Sequence, residues 1–333
     1  MTSKVYKAGL IGCGDYLRWE IDTMNACKKF KVKSTFDLIA EKAKKRADQL
    51  GAQAVDSDDT IFNDPEIDVV LIYTPPWVRI PLFEKAVKNN KHIITTKPLA
   101  SNLDEAKKLC DLVNSNVSCA VFYRRTGNAG VEQLKQIFDS GEIGKLTIYK
   151  EDWFHHYPQW NDWATDPEKN GGPFMDAMVH NLNLSRYLIG SEVRSYCYFS
   201  DNHAQTLKCN DTEFLKVNFE NGASSHLFIT WAADLEVYSL DGNEREHYGI
   251  CHMITDKGWY VKEDREDDKH FILAKKEKEV KKWPVEPLPN TAYDDFVISK
   301  ENGKTQNHDI SFAMEDMKII DRAMKNPTKM MNL

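Results

Sequence analysis

The chain has 333 residues, of which 41% are apolar and 29% charged, and its formal net charge is -7. This length and composition predict a globular protein of two domains, each able to bury a core. The negative charge argues against nucleic acid or an anionic membrane as a partner, because both favour a basic surface.

The first residues and the cysteines indicate the cellular compartment of the protein. The apolar run in "MTSKVYKAGLIG" is too short for a signal peptide, and no run approaches the roughly 20 apolar residues that span a bilayer. The seven cysteines include no C-x-x-C pair, which is typical of reduced thiols. We therefore expect a cytoplasmic location.

The first 125 residues alternate between strand-like and helix-like segments. "VYKAGLIG", "IDVVLIYT" and "HIITT" are apolar as in buried strands, whereas "DYLRWEIDTMNACKKF" and "AEKAKKRADQLG" have helical spacing. Repeated β-α-β units predict a doubly wound parallel sheet, so residues 1–124 are expected to form a Rossmann domain that binds a dinucleotide.

The pattern changes after about residue 123. One helical segment is followed by several long strand candidates, and "NG" at 221–222 and "DKG" at 256–258 are typical of hairpin turns. Residues 125–333 are therefore expected to form an α+β domain with a large, mostly antiparallel open sheet that binds substrate and makes oligomer contacts. The C-terminal helix "DISFAMEDMKIIDRAMK" could pack back on the first domain.

The loop "GLIGCGDYL" joins the first strand to the first helix. Gly12 and Gly14 permit a tight turn and close approach to a pyrophosphate, but the third fingerprint position is Leu17. A simple strand-to-helix turn is the alternative. The residues predicted here to bind the cofactor are Gly12, Cys13, Gly14, Asp15 and Tyr16.

Asp37 ends the second predicted strand, 25 residues after Gly12. A carboxylate at this spacing binds the adenosine ribose hydroxyls and repels a 2′-phosphate, so NAD is favoured over NADP. An aspartate of a turn or helix start is the alternative.

The stretch "GGPFMDAMVHNLNL" at 171–184 has polar residues at i, i+4 and i+7. Asp176, His180 and Asn183 are therefore expected on one helix face. Met175, Val179, Leu182 and Leu188 lie off that face and are expected to pack inward.

Two other interpretations of the same acid and imidazole are a solvated helical pair and a zinc site. Zinc needs further ligands at motif spacing, and the adjacent His155 and His156 would point to opposite faces of a strand. The sequence therefore predicts no metal.

Two motifs together point to a known family. "TTKPLA" at 95–100 and "WATDPEKNGGPFMDAMVHNLNLSRYLIG" at 163–190 make the chain resemble the Gfo/Idh/MocA oxidoreductases. "DPEIDVVLIYTPP", "FYRRTGNAGVEQLKQIFDSGEIGKL" and "YDDFVISKENGK" extend the resemblance over nearly the whole chain. It implies that Lys97, Asp176 and His180 are catalytic, and that Thr74, Pro75 and Lys97 border the cofactor.

The chain departs from the family pattern at six places, which leave the geometry of the cofactor loop and the substrate open. Thr96 replaces the glutamate of E-K-P, Met178 the motif glycine, Asn183 the last motif acid and Leu17 the third fingerprint glycine. In T-P-N-x-x-H, Pro76 replaces the asparagine and Arg79 the histidine.

The resemblance implies hydride transfer between a nicotinamide and a secondary hydroxyl or ketone of a sugar, a polyol or a derivative. His180 is the natural base near neutral pH, Lys97 can stabilise charge on the reacting oxygen, and Asp176 can orient its neighbours. Which residue takes the proton stays open. Two other functions also stay open. One is a redox-neutral enzyme that oxidises a glycoside transiently, and the other is a non-catalytic sensor, against which the three retained residues argue. Family members commonly form oligomers, so a homodimer or homotetramer is expected.

The segment "DWFHHYPQWNDW" at 152–163 is rich in rings, which suit a sugar face. Trp160 and Trp163 are predicted to stack on substrate and His155 to bind a hydroxyl; core or interface packing is the alternative. The other predicted substrate residues are Tyr123, Arg124, Asn183 and Arg79. Arg79 could bind a carboxylate or phosphate, or form an ordinary salt bridge.

Overall fold

A computed structural model describes residues 4–113, 116–156, 163–169, 171–235, 248–267, 269–304 and 308–331. The chain divides into two compact units. The first unit contains Met1–Gly127 and Leu288–Met317, and the second contains Asn128–Pro287 and Lys318–Leu333. Among the described residues, no helix has the length and apolar character needed to cross a membrane.

The first unit is built on a six-stranded sheet in which every strand is parallel to its neighbours. Its strands are β1 (Tyr6–Ile11), β2 (Phe30–Phe36), β3 (Gln53–Ala54), β4 (Val69–Ile72), β5 (His92–Thr96) and β6 (Cys119–Phe122). The spatial order β3-β2-β1-β4-β5-β6 reverses direction between β1 and β4. This is the doubly wound Rossmann arrangement that the alternating segments predict, and it places a ligand crevice at the carboxyl ends of β1 and β4.

Five described helices of the first unit connect these strands, and a sixth, α8, comes from later in the chain. They are α1 (Ile21–Asn25), α2 (Ala40–Leu50), α3 (Asp58–Asn63), α4 (Arg79–Lys88), α5 (Leu103–Leu112) and α8 (Ala292–Glu301), with 3-10 turns at Asp15–Trp19 and Pro76–Val78. All four residues of β4 are buried, as expected for a strand covered on both faces.

Residues 288–317 lie in sequence between the two parts of the second unit but belong to the first unit. The sequence predicts one domain over residues 125–333 and allows only the C-terminal helix to pack back on the first. The cause is the packing of α8. Tyr293 stacks on Phe30 with ring centroids 5.0 Å apart, and Asp294 accepts hydrogen bonds from the backbone N–H groups of Lys28 and Lys29. The chain therefore returns to the sheet beside β2.

The second unit is built on an eight-stranded, mostly antiparallel sheet. Its strands are β7 (Leu146–Phe154), β8 (Val193–Asp201), β9 (Thr212–Phe219), β10 (Ser224–Thr230), β11 (Tyr248–Thr255), β12 (Tyr260–Glu266), β13 (Lys269–Lys276) and β14 (Glu279–Pro284). Their order is β14-β13-β12-β11-β7-β10-β9-β8, with β7 and β10 parallel. The predicted turns are confirmed: Gly222 and Gly258 have positive φ between antiparallel partners.

Helices α6 (Ala129–Ser140), α7 (Val179–Ile189) and α9 (Ile310–Lys325) complete the described helices, and α9 contributes residues to both units. Met175, Val179, Leu182 and Leu188 are buried, which confirms their predicted inward packing. Along β7, buried Tyr149, Glu151 and Trp153 alternate with exposed Ile148 and Phe154, so the sheet has one open face.

Candidate functional site

The glycine loop follows β1 and has little room for side chains at its first position. Gly12 has φ of +93°, and a Cβ there would lie 2.6 Å from the backbone oxygen of Tyr73. An added Cβ at Gly14 meets no atom within 4 Å. The protein itself therefore requires glycine at position 12, while the space above Gly14 is open to a ligand such as a pyrophosphate.

The segment after this loop differs from the predicted continuous helix over residues 15–30. The structure has a 3-10 turn at Asp15–Trp19 and then the short α1. Leu17 is fully buried in the core of the first unit. Since a leucine replaces the glycine that lets a helix lie close to the strand, the tighter turn accommodates its side chain.

Asp37 lies directly after β2 and contacts the glycine loop. Its Oδ2 accepts a hydrogen bond of 2.7 Å from the backbone N–H of Cys13, and its Oδ1 accepts one of 2.8 Å from Ile39. The two bonds fix a negative charge beside the loop. Each carboxylate oxygen has a further lone pair, so the residue can still accept ribose hydroxyls.

Thr74 follows β4. It lies at the same edge of the parallel sheet as the glycine loop after β1. Its buried hydroxyl Oγ1 has no hydrogen-bond partner within the part of the chain that the structure describes. A buried hydroxyl without a partner is costly, so a ligand that bonds it would remove the penalty. Gly14, Asp37 and Thr74 together fit a dinucleotide at the carboxyl end of β1 and β4.

Arg79 does not have the predicted position at a substrate. It is 2% exposed, and its guanidinium donates to the backbone oxygens of Thr74 and Thr96 at 2.9 and 2.7 Å. The replacement of the family's histidine by arginine thus places a cation inside the first unit. Lys97 lies just beyond Thr96, after β5, and is half-buried.

A cavity of about 410 Å³ lies in the first unit. Tyr16 and Tyr123, which the sequence predicts for cofactor and substrate, both line it, together with Glu20. Glu20 accepts hydrogen bonds from the hydroxyls of Tyr16, at 2.8 Å, and Tyr293, at 2.6 Å. Burial raises the pKa of Tyr16 well above its usual value, so its hydroxyl remains a donor. Sequence reasoning missed Glu20, although its i+4 spacing from Tyr16 is a signal for such a pair.

In the second unit, Asp176 and His180 lie at the start of the helix after Gly172. Residues Phe174–Met178 form a π-helical turn and α7 continues from Val179. Asp176 and His180 are half-buried, whereas Asn183 is 1% exposed. The three residues therefore do not share one helix face as predicted. A π turn changes the angle between successive residues, and Asn183 faces the interior.

Glu213 on β9 is a further residue that sequence reasoning missed. It is 3% exposed, accepts a 2.5 Å hydrogen bond from the backbone N–H of Phe174, and also accepts one from the Tyr198 hydroxyl. Burial raises its pKa to about 7. It holds the first residue of the turn that carries Asp176. An acid near the start of an alternating strand, at a position that alternates in phase with apolar residues, is the only signal for it in the sequence.

The remaining predicted substrate residues differ in their exposure. His155 is 3% exposed and its Nδ1 donates to the backbone oxygen of His156 at 2.8 Å, which counts against direct contact with substrate. Trp163 is half-buried and Arg124 is exposed. Trp160 lies outside the described residues. In the described ranges, no three His, Cys, Asp or Glu side chains are grouped to hold a metal ion.

Comparison with family models matches both units. Residues 6–123 match "Oxidoreductase family, NAD-binding Rossmann fold", and residues 131–245 match "GFO/IDH/MocA C-terminal domain". Together the matched ranges cover more than two thirds of the chain.

Curated relatives share parts of the chain. An uncharacterized oxidoreductase of Bacillus subtilis (strain 168), YrbE, is 28% identical over 67% of this chain and 66% of its own length. A scyllo-inositol 2-dehydrogenase (NAD(+)) of the same organism is 32% identical over 48% of this chain and 46% of its own. The chain thus spans under two thirds of the length of these relatives.

Among solved structures, an aldose-aldose oxidoreductase from Caulobacter crescentus complexed with glycerol has a TM-score of 0.81. It is 16% identical, and the match covers 97% of each chain. At that identity the similarity concerns the fold.

Proposed function

The chain belongs to the GFO/IDH/MocA family of NAD-binding oxidoreductases, and from this membership we propose that it transfers hydride between NAD(H) and a secondary hydroxyl or ketone of a sugar or polyol. The observation that carries the proposal is the glycine loop, with open space above Gly14 and its Cys13 N–H bonded to Asp37. These are the features that a pyrophosphate and an adenosine ribose need.

The residues proposed to hold the cofactor are those of the loop, with Asp37 at the ribose and Thr74 beside it. When bound, NAD supplies the hydride acceptor. We propose NAD over NADP because the carboxylate of Asp37 is fixed by two backbone donors and cannot easily turn away from a 2′-phosphate.

Lys97, His180 and Asp176 are proposed as the catalytic residues, in the roles that the family resemblance implies. The imidazole of His180 accepts the proton of the substrate hydroxyl, and the ammonium of Lys97 donates a hydrogen bond to the oxygen as charge develops there. Asp176 orients these groups or binds a neighbouring hydroxyl. Lys97 belongs to the first unit and the other two to the second.

A carbohydrate or polyol substrate is proposed from two kinds of support. The relatives include a scyllo-inositol dehydrogenase, and a protein of the same fold is an aldose-aldose oxidoreductase.

The test is an assay that follows NADH absorbance and product mass together. The protein is incubated with NAD and a panel of inositols, free aldoses and glycosides, and in reverse with NADH and the matching ketones. The proposal requires NADH and oxidised product in equal amounts for at least one neutral polyol or sugar. Product formed over many turnovers without NADH would instead establish transient oxidation, and no turnover on any substrate would refute the proposed activity.

A further inference from the structure

The guanidinium of Arg79 connects two loops at the carboxyl edge of the parallel sheet. Arg79 begins α4, and its Nε and Nη2 donate to the backbone oxygen of Thr74 at 3.2 and 2.9 Å. Its Nη1 donates to the backbone oxygens of Thr96 at 2.7 Å, Leu99 at 3.1 Å and also Pro98. One side chain therefore holds the loop after β4 against the loop after β5.

Three of these acceptors flank Lys97 in the sequence. Thr96 precedes it, and Pro98 and Leu99 follow it, so three of the four peptide oxygens from 96 to 99 bind the same cation. The backbone that carries the proposed catalytic ammonium is thus fixed on both sides. A shift of about 1 Å at a reacting group can cost roughly 100-fold in rate, so such fixation matters for turnover.

Burying a guanidinium at this depth is costly unless its donors are satisfied. Burial lowers the pKa of Arg79 to about 9, so the group still carries its charge at neutral pH. The planar, forked donors of arginine can reach carbonyl groups on two loops at once, and arginine has more donors than lysine or histidine.

Thr96 is a second departure from the family pattern, and it touches the first. The Thr96 hydroxyl lies 3.4 Å from Nη2 of Arg79, and its backbone oxygen accepts from Nη1. Thr96, where this chain differs from E-K-P, is therefore in direct contact with Arg79, which replaces the histidine of T-P-N-x-x-H.

We propose that Arg79 is a positioning residue, which holds the Thr96–Leu99 loop so that Lys97 presents its ammonium to the substrate oxygen. The inference rests on the proposed function for the role of Lys97 in catalysis. The holding of the loop itself does not depend on the reaction, so it can be tested separately.

The variants are Arg79→Met and Arg79→Lys. Arg79→Met removes every donor, so kcat is expected to fall roughly 30-fold or more while the Kd for NAD changes about threefold at most. Arg79→Lys retains the charge but reaches fewer carbonyl groups, so it should recover part of the turnover.

Lys91 provides the matched control, because it is another buried cation on backbone carbonyl groups. It is 6% exposed and donates to the backbone oxygens of Asp64 at 2.6 Å and Ile67 at 2.7 Å. It precedes β5, at the opposite end of the strand from Lys97. Lys91→Met should lower the melting temperature about as much as Arg79→Met and leave kcat within about twofold of wild type.

Hydrogen exchange of the backbone amides supplies the readout that needs no activity. Arg79→Met should accelerate exchange at residues 97, 99 and 100, and Lys91→Met should not. Unchanged exchange there in Arg79→Met, or a kcat loss no larger than that of Lys91→Met, would overturn the inference. If the wild-type protein has no NAD-dependent turnover, the proposed function fails, and the exchange comparison alone decides whether Arg79 holds the loop.

Discussion

At the residue scale, the carboxylate of Asp37 is the group most able to select the cofactor. Its two oxygens accept backbone hydrogen bonds from Cys13 and Ile39, so its position is set by the glycine loop on one side and by its own turn on the other. The charge is therefore preorganised before any ligand arrives, and discrimination needs no rearrangement.

We expect NAD(H) to bind at least tenfold more tightly than NADP(H), since a like-charge contact of about 1.4 kcal/mol gives that ratio. Asp37→Ser should weaken NAD and reduce the preference to about threefold or less. Fluorescence titration with both cofactors measures the ratio. Asp48→Asn, which removes an equal charge from an exposed position of α2, should preserve it. Equal affinities in the wild-type protein would remove Asp37 from the cofactor site.

Two further substitutions address the proposed chemistry. Lys97→Met should lower kcat by roughly 100-fold or more, because a charge-stabilising donor is lost. His180→Ala should do the same and remove the dependence of kcat on pH near neutrality. NAD titration serves as the control, since both variants should still bind the cofactor. Near-wild-type turnover in either variant would contradict the assigned role.

At the element scale, the turn that carries Asp176 is fixed by a neighbouring strand. Glu213 of β9 binds the N–H of Phe174, the first residue of the π-helical turn, and it is buried with Tyr198. The strand thus supports a helix start at which backbone donors would otherwise lack partners. The irregular turn and the buried acid occur together, at the place where the sequence alone predicts an ordinary helix.

Glu213 should make stability depend on pH. Burial raises its pKa from 4.5 to about 7, so the folded protein holds a proton that the unfolded chain has released. Stability from this group is therefore present at pH 4.5 and is lost as pH rises to 7, by on the order of 3 kcal/mol at most.

Glu213→Gln replaces the carboxyl group with an amide of the same shape, which does not titrate. The melting temperature of the variant relative to wild type should therefore rise by several degrees between pH 5 and pH 8, as measured by calorimetry. Glu220→Gln makes the same chemical change at an exposed position after β9 and should show no such trend. A difference for Glu213→Gln that is constant with pH would contradict the assignment.

Local patterns predict the elements well because they report local physics. The apolar run of β4 and the glycines at 222 and 258 are sufficient to identify a buried strand and two hairpin turns. The burial of Arg79 and the bond from Phe174 to Glu213 depend on partners 17 to 39 residues away. No periodicity in one sequence encodes such pairs, so the details of the candidate site could not be predicted even where its residue types could.

At the scale of the whole molecule, the return of residues 288–317 to the first unit shows how a chain can interleave two cores. Asp294 binds two backbone N–H groups before β2, and Tyr293 donates to Glu20 beside the cavity. A segment distant in sequence thereby helps to shape the surroundings of Tyr16. Sequence order alone suggests two consecutive domains, because nothing local in "NTAYDDFVISK" identifies the core it joins.

The open face of the eight-stranded sheet leads to the last prediction, which concerns assembly. Exposed Ile148 on β7 lies beside Ile254 on β11, and the rings of Phe154 and Phe228 lie 5.4 Å apart. Exposed apolar side chains on an open sheet face are typical of a contact surface, so we expect a homodimer or homotetramer that buries this face. Replacement of Ile148 and Ile254 by lysine should shift the mass measured by light scattering to that of a monomer, because charges in the core of an interface are strongly unfavourable.

The matched control is Leu38→Lys, which adds a charge at a position that is 94% exposed in the first unit and should leave the mass unchanged. An unchanged oligomer after both isoleucine substitutions, or a wild-type protein that is monomeric at micromolar concentration, would show that this face does not mediate assembly.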